Sequence, residues 1–137
     1  MRHAAAAFVA LAALALSLAG CGGSAAGDSA GAKIDLTVTL WPSGVNGDSI
    51  VWDLLCEPTG GDHPDPEAAC AALTTAKDPF GPLAPPPRCK EIPGSSPEVA
   101  VVEGTFRGRQ VRSTFSRESA CVEGRWDRIA PVFATGF

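Results

Sequence analysis

Cys56-Glu57-Pro58-Thr59-Gly60-Gly61-Asp62-His63-Pro64-Asp65-Pro66-Glu67-Ala68-Ala69-Cys70 runs from the last residue of an expected strand into the first turn of an expected helix. At its C-terminal end Asp65 can cap, Pro66 suits the first helical position, and Glu67 sits at the positive end of the helix dipole. The following residues, 68 to 76, are alanine-rich and of high helix propensity, with Cys70, Leu73 and Ala76 near one face. Asp78-Pro79 ends the run. At its N-terminal end Ile50, Trp52, Leu54 and Cys56 recur at period two and are expected to share one face of a strand. A cysteine in the first turn of the helix can then reach back to Cys56.

Working outward, Ile34-Asp35-Leu36-Thr37-Val38-Thr39-Leu40 also alternates apolar and polar, the pattern of a half-buried strand. The turn cluster Pro42-Ser43-Gly44-Val45-Asn46-Gly47-Asp48 joins it to the Ile50 strand, which implies antiparallel pairing. Glu98 to Phe106 reads as a further strand, Arg107-Gly108-Arg109 as a tight turn, and residues 110–115 as its partner, with Val111, Ser113 and Phe115 on one face. Arg125 to Arg128 is a short turn or helical piece, and Val132-Phe133-Ala134 a last short strand. Several antiparallel strands with one clear helix give an α+β domain, helix packed on one face of a sheet.

The first twenty residues stand apart. Arg2 and His3 precede an uncharged, alanine-rich apolar run that closes on Leu18-Ala19-Gly20-Cys21. This fits a secretory signal rather than a spanning helix. The ending resembles the bacterial lipobox, in which the cysteine is diacylated and becomes the new N-terminus. The expected organisation is therefore a signal peptide at 1–20, a flexible linker at 21–31 starting from lipidated Cys21, and a domain at 32–137. The expected location is extracytoplasmic, on the cell membrane.

The chain has five cysteines. With Cys21 assigned to lipid, Cys56, Cys70, Cys89 and Cys121 remain, and an oxidising compartment favours two disulfides. Four cysteines allow three connectivities, and spacing alone does not choose; the neighbour pairing Cys56–Cys70 and Cys89–Cys121 is the working expectation. A metal site is disfavoured by the absence of Cys-x-x-Cys and by a single histidine, His63, outside the signal. No cofactor is expected. The net charge of −4 has the wrong sign for general nucleic-acid binding. No nucleophile–base pair, metal cluster or phosphate loop points to an enzyme.

The ordered set of motifs resembles the Streptomyces subtilisin inhibitor family. The shared features are the Cys56–Cys70 segment with its His63-Pro64, the alanine-rich helix, Cys89 ahead of an exposed loop, Gly104-Thr105-Phe106-Arg107-Gly108, Cys121 and Val132-Phe133. The resemblance spans roughly residues 34 to 134. It implies a five-stranded antiparallel sheet with one or two helices on one face, the two neighbour disulfides, and often a homodimer. It further implies serine protease inhibition by a loop bound as a substrate would be. The inhibitor supplies no catalytic residue; it offers one peptide bond to the protease's own nucleophile and oxyanion hole. A rigid loop loses little freedom on binding.

Counted as the family counts, the reactive loop is Cys89, Lys90, Glu91, Ile92 and Pro93, with Glu91–Ile92 as the scissile bond. The run Pro85-Pro86-Pro87 stiffens the approach to it. The best-known members carry proline and an apolar or basic residue where this chain has Lys90 and Glu91. A glutamate at P1 is unfavourable in a trypsin-like or chymotrypsin-like pocket, because its carboxylate is buried unpaired. It suits a glutamate-specific protease; a register slipped by one makes Lys90 P1 and a trypsin-like enzyme the target. Loss of inhibition, leaving a lipid-anchored interaction module of the same fold, is the alternative function. His63, although near Asp62 and Ser49 in sequence, reads as a loop histidine with a structural hydrogen bond. Trp41, Trp52 and Trp126 read as packing residues, and Arg107, Arg109 and Arg112 as a solvated hairpin rather than an anion site.

Overall fold

A computed structural model describes residues 31–82 and 96–134. Five strands form one antiparallel sheet: β1 (Ile34–Trp41), β2 (Ile50–Cys56), β3 (Gly60–Gly61), β4 (Val99–Phe106) and β5 (Arg109–Ser116). Their order across the sheet is β3-β2-β1-β4-β5. Among the described residues the helices are α1 (Pro66–Thr75) and α2 (Ala120–Asp127), and a 3-10 turn follows at Ala130–Phe133. The expected α+β class and the five-stranded sheet are both found.

β1 is central because its alternation is unbroken. Ile34, Leu36, Val38 and Leu40 are all buried, and the residues between them are half-exposed. Each buried β1 residue heads a row across the sheet. Val38 lies between Trp52 and Val102, and Ile34 between Cys56 and Phe106. Such directly opposed side chains are the unit of sheet stabilisation. α1, α2 and the 3-10 turn cover this face through Ala69, Leu73, Trp126, Ile129, Val132 and Phe133.

The start of α1 follows the sequence expectation. Asp65 is the N-cap, its carboxylate accepts the Ala68 N–H at 3.0 Å, and Pro66 occupies the first turn. Cys70, one turn further along α1, is disulfide-bonded to Cys56 with the Cα atoms 5.7 Å apart.

Two expectations are corrected. Val132-Phe133-Ala134 is not a strand: Ala130–Phe133 is a 3-10 turn in which Val132 and Phe133 are both fully buried. Adjacent residues of a strand point to opposite faces, whereas here both enter one core and Pro131 sets the first turn. The fifth strand is instead Gly60–Gly61, paired to Leu54 and Leu55. Ile50 does not join the buried face of β2; it is 42% exposed at the strand's outer end. The helical alternative for Arg125 to Arg128 is found, as the end of a longer helix, α2, capped by Arg128.

Candidate functional site: the two limbs of segment 83–95 and the helix beneath them

Cys89, Lys90, Glu91, Ile92, Pro93 and Cys21 all lie outside the described residues. The structure describes the residues that flank segment 83–95. The chain reaches it through residues 78–82 and returns through residues 96–98 into β4.

The incoming limb is held on three sides. Phe80 stands edge-on to Phe106 with ring centroids 5.0 Å apart, and to Phe115 at 6.2 Å. Edge-to-face contacts match the positive ring edge to the negative ring face. The Ser113 hydroxyl lies 3.5 Å from the Phe80 carbonyl. Arg125, on α2, donates from Nη2 to the Gly81 carbonyl at 3.2 Å and to Ser113 Oγ at 3.3 Å, and from Nη1 to the Thr114 carbonyl at 3.3 Å. Its guanidinium also lies 4.4 Å from the centre of the Phe115 ring. Burial holds its pKa below the usual arginine range; Arg128 adds to that shift and Asp78 opposes it.

The outgoing limb is held by charge. Glu98 and Arg117 flank the last β4–β5 pair, Val99 and Ser116. Arg117 Nη1 is 3.4 Å from Glu98 and its Nη2 is 3.1 Å from Glu123, in α2. All three side chains are partly shielded from solvent, so the pairs are less screened than surface ones. The hydrogen bond to Glu123 is the largest influence on Arg117 and raises its pKa, with burial opposing and Glu98 adding. The turn between β1 and β2 also meets this limb: a Cβ on Gly44 would lie 3.4 Å from the Pro97 carbonyl.

Both limbs therefore end on α2. The helix is seated by Trp126, 1% exposed, whose ring lies 4.1 Å from that of Phe133. Phe133 touches Phe115, and Phe115 touches Phe80. A continuous aromatic chain thus connects the helix to the incoming limb. Cys121, near the start of α2, is itself disulfide-bonded. Its expected partner, Cys89, lies outside the described residues.

The residues set aside as structural are so placed. His63 is 4% exposed. Its Nδ1 accepts the Asp65 N–H at 3.1 Å and its Nε2 lies 3.0 Å from the Val132 carbonyl. Those partners assign the proton to Nε2. The ring ties the start of α1 to the 3-10 turn. Trp52 and Trp126 are core residues. Around the hairpin, Arg107 donates to the Thr74 carbonyl, Arg109 pairs with Asp78 and Arg112 with Glu103. Arg117 and Arg125, which bind the two limbs, escape a reading of motifs. Their one signal is position: both follow β5 and bracket Cys121.

The family model described as "Subtilisin inhibitor-like" matches residues 30–121. The chain belongs to the subtilisin inhibitor-like family. A curated relative, "Subtilisin inhibitor-like protein 1" of Streptomyces cacaoi, is 38% identical over 74 residues. That stretch is 50% of this chain and spans 64% of the relative's length. Among solved structures, sermetstatin of Streptomyces caespitosus in complex with subtilisin of Bacillus licheniformis aligns at 25% identity and a TM-score of 0.47. The alignment covers 73% of this chain and 96% of that one. Within the subtilisin inhibitor-like family match lie both limbs, segment 83–95 and Cys121.

Proposed function

We propose that this subtilisin inhibitor-like protein is an extracytoplasmic inhibitor of serine endopeptidases, anchored to the bacterial cell membrane by lipid on Cys21. Residues 1–20 serve as the signal peptide, 21–31 as the tether and 32–137 as the inhibitor domain. Cys89, Lys90, Glu91, Ile92 and Pro93 present Glu91–Ile92 to the protease as its scissile bond, and a Cys89–Cys121 disulfide joins the loop to α2. The target is a secreted serine protease, glutamate-specific by the chemistry of Glu91 or subtilisin-like by family.

The observation that carries this reading is the family match, which runs through the loop to Cys121. The arrangement of the limbs supports it. A loop bound as a substrate must be ordered before it meets the enzyme, because ordering on contact subtracts from affinity. The described contacts fix the chain at both ends of segment 83–95 and supply no nucleophile of their own.

The test uses the full chain, expressed with its own leader and extracted in detergent. It is titrated against subtilisin-like, trypsin-like and glutamate-specific serine proteases, and cleavage is mapped by mass spectrometry. Tight inhibition with slow, incomplete cleavage after Glu91 is the expected result. Cleavage after Lys90 moves P1 by one residue and keeps the mechanism. Rapid complete digestion of the loop, or no binding by any protease, removes the inhibitory function and leaves a membrane-tethered interaction module. The mass of the N-terminal peptide, in the wild type and in Cys21→Ala, tests the lipid.

A further inference from the structure

Arg125 has an unusual set of partners for a partly buried cation. Among the described residues no carboxylate lies in ion-pairing range of it. It donates to three neutral oxygens, on Gly81, Ser113 and Thr114, and stacks on Phe115. Removing a cation from water without a counter-charge is unfavourable, and an arginine needed only for solubility would swing outward. The planar fork of donors is suited to bind several acceptors at once in fixed geometry. What it joins here is the incoming limb to the end of β5.

Arg117 does the corresponding thing for the outgoing limb, joining Glu98 to Glu123. Glu123 and Arg125 are two residues apart on α2. Side chains at that spacing point in different directions from a helix. One short helix, seated by Trp126, thus reaches both limbs at once.

We propose that Arg125 and Arg117 are positioning residues for segment 83–95, with α2 as a yoke that fixes the separation of its two ends. This rests on the inhibitory reading for its consequence but not for its geometry. When the protease's nucleophile breaks the scissile peptide bond, the limbs on either side of it stay tied to α2, which limits how far the freed amine can move from the acyl-enzyme. Attack by that amine, which restores the peptide bond and releases the nucleophile, then outcompetes attack by water. Without the yoke the amine end departs and the chain is hydrolysed as an ordinary substrate. Arg125 and Arg117 would therefore separate inhibitor from substrate while touching neither the enzyme nor the reacting atoms.

The experiment compares the full-length wild type with Arg125→Met, Arg117→Met and a core control, Leu73→Ala. Leu73 is fully buried in α1, which packs on β2 and the 3-10 turn, and it makes none of the hydrogen bonds or ion pairs that hold Gly81 and Glu98. Hydrogen exchange is read on peptides covering residues 78–82 and 96–98, and the rate of cutting within 83–95 is read with the inhibited protease. Arg125→Met is expected to speed exchange at 78–82, and Arg117→Met at 96–98. Each is expected to raise the cutting rate about tenfold, the scale of losing hydrogen bonds to a charged group. Leu73→Ala is expected to lower the melting temperature at least as much and to leave local exchange and cutting at wild-type rates. Equal behaviour of the arginine variants and Leu73→Ala, compared at the same interval below their melting temperatures, would overturn the proposal. A wild type that inhibits no protease ends the inhibitory reading instead. The exchange measurements then decide the yoke alone: wild-type exchange at 78–82 in Arg125→Met refutes it.

Discussion

Gly104→Ala tests the packing at the centre of the sheet. Gly104 lies in β4 opposite Leu36 of β1 and opposite Val111 of β5. Its φ is +135°, a region essentially open only to glycine. A Cβ there would collide with the Asp35 carbonyl oxygen and lie 3.1 Å from Leu36 Cα. Both are backbone atoms of the central strand and cannot move as a side-chain tip can. The conformation alone costs about 1–3 kcal/mol for a non-glycine residue. Displacing β1 from β4 adds a cost like that of overpacking a core, about 1–3 kcal/mol. The expected loss is therefore about 2–6 kcal/mol, against a total stability of about 5–15 kcal/mol for a domain.

Gly108→Ala supplies the internal control. Gly108 also has a positive φ, +79°, but a Cβ there meets nothing within 4 Å. Its cost is that of the left-handed backbone alone, about 1–2 kcal/mol. Denaturant titration of both variants measures the difference. Gly104→Ala should lower the midpoint far more than Gly108→Ala at an unchanged slope. Equal midpoints for the two would mean that β1 yields freely at Asp35, and the close approach of the strands would not be the reason for glycine at 104.

Three further outcomes follow from the same contacts. Replacing Cys56 and Cys70 together by alanine opens a loop of sequence separation 14 and should remove about 3 kcal/mol on the chain-entropy estimate, read by denaturant titration; an unchanged midpoint would show that the Asp65 cap and the core hold α1 without it. His63→Leu leaves the Val132 carbonyl and the Asp65 N–H without their partner and should cost about 1–3 kcal/mol, visible as a lower melting temperature; a neutral result would mean that water replaces the ring. The Glu57 carboxyl is held below its ordinary value of 4.5, first by the hydrogen bond from Lys33 and then by the charge of Lys33. A depressed carboxyl pKa contributes stability above the unfolded value and loses it as pH falls through the folded one. The small advantage of the wild type over Lys33→Met should thus be full above pH 4.5 and be lost as the pH falls further, through the lower folded value; an advantage that persists unchanged in strong acid would assign it to packing of the lysine stem.

The parts of the fold legible in the sequence are those whose residues serve one purpose. β1 alternates without exception because one face meets the core and the other does not. The start of α1 is legible because cap, proline and acidic first turn agree. Gly60–Gly61 is invisible to periodicity, being two residues long with no side chains to alternate. Its signature is steric: a Cβ on Gly61 would strike the Asp53 carbonyl, so only glycine lets this segment lie along β2. At Val132-Phe133 the β-propensity is real but is overridden. Pro131 and two consecutive buried side chains require a tight turn pressed into the core, not an extended strand.

α2 gave a weaker signal than α1, and its role accounts for that. An amphipathic stripe appears when a helix commits a whole face to the core. α2 commits chiefly Trp126, while Glu123 is directed at Arg117 and Arg125 at the incoming limb. Gly124, between them, has open space where a Cβ would be and so lowers helix propensity without a packing reason. A helix of this composition is not stable by itself; it is held by Trp126 against Phe133 and by the very contacts it makes to residues 81 and 117. Support therefore runs both ways, the helix fixing the limbs and the limbs fixing the helix. Such mutual dependence leaves no local pattern to read, because neither partner is specified alone. It also makes the yoke cooperative: loss of Arg125 should loosen the Arg117 end as well, and the exchange rates at 96–98 in Arg125→Met measure that coupling directly.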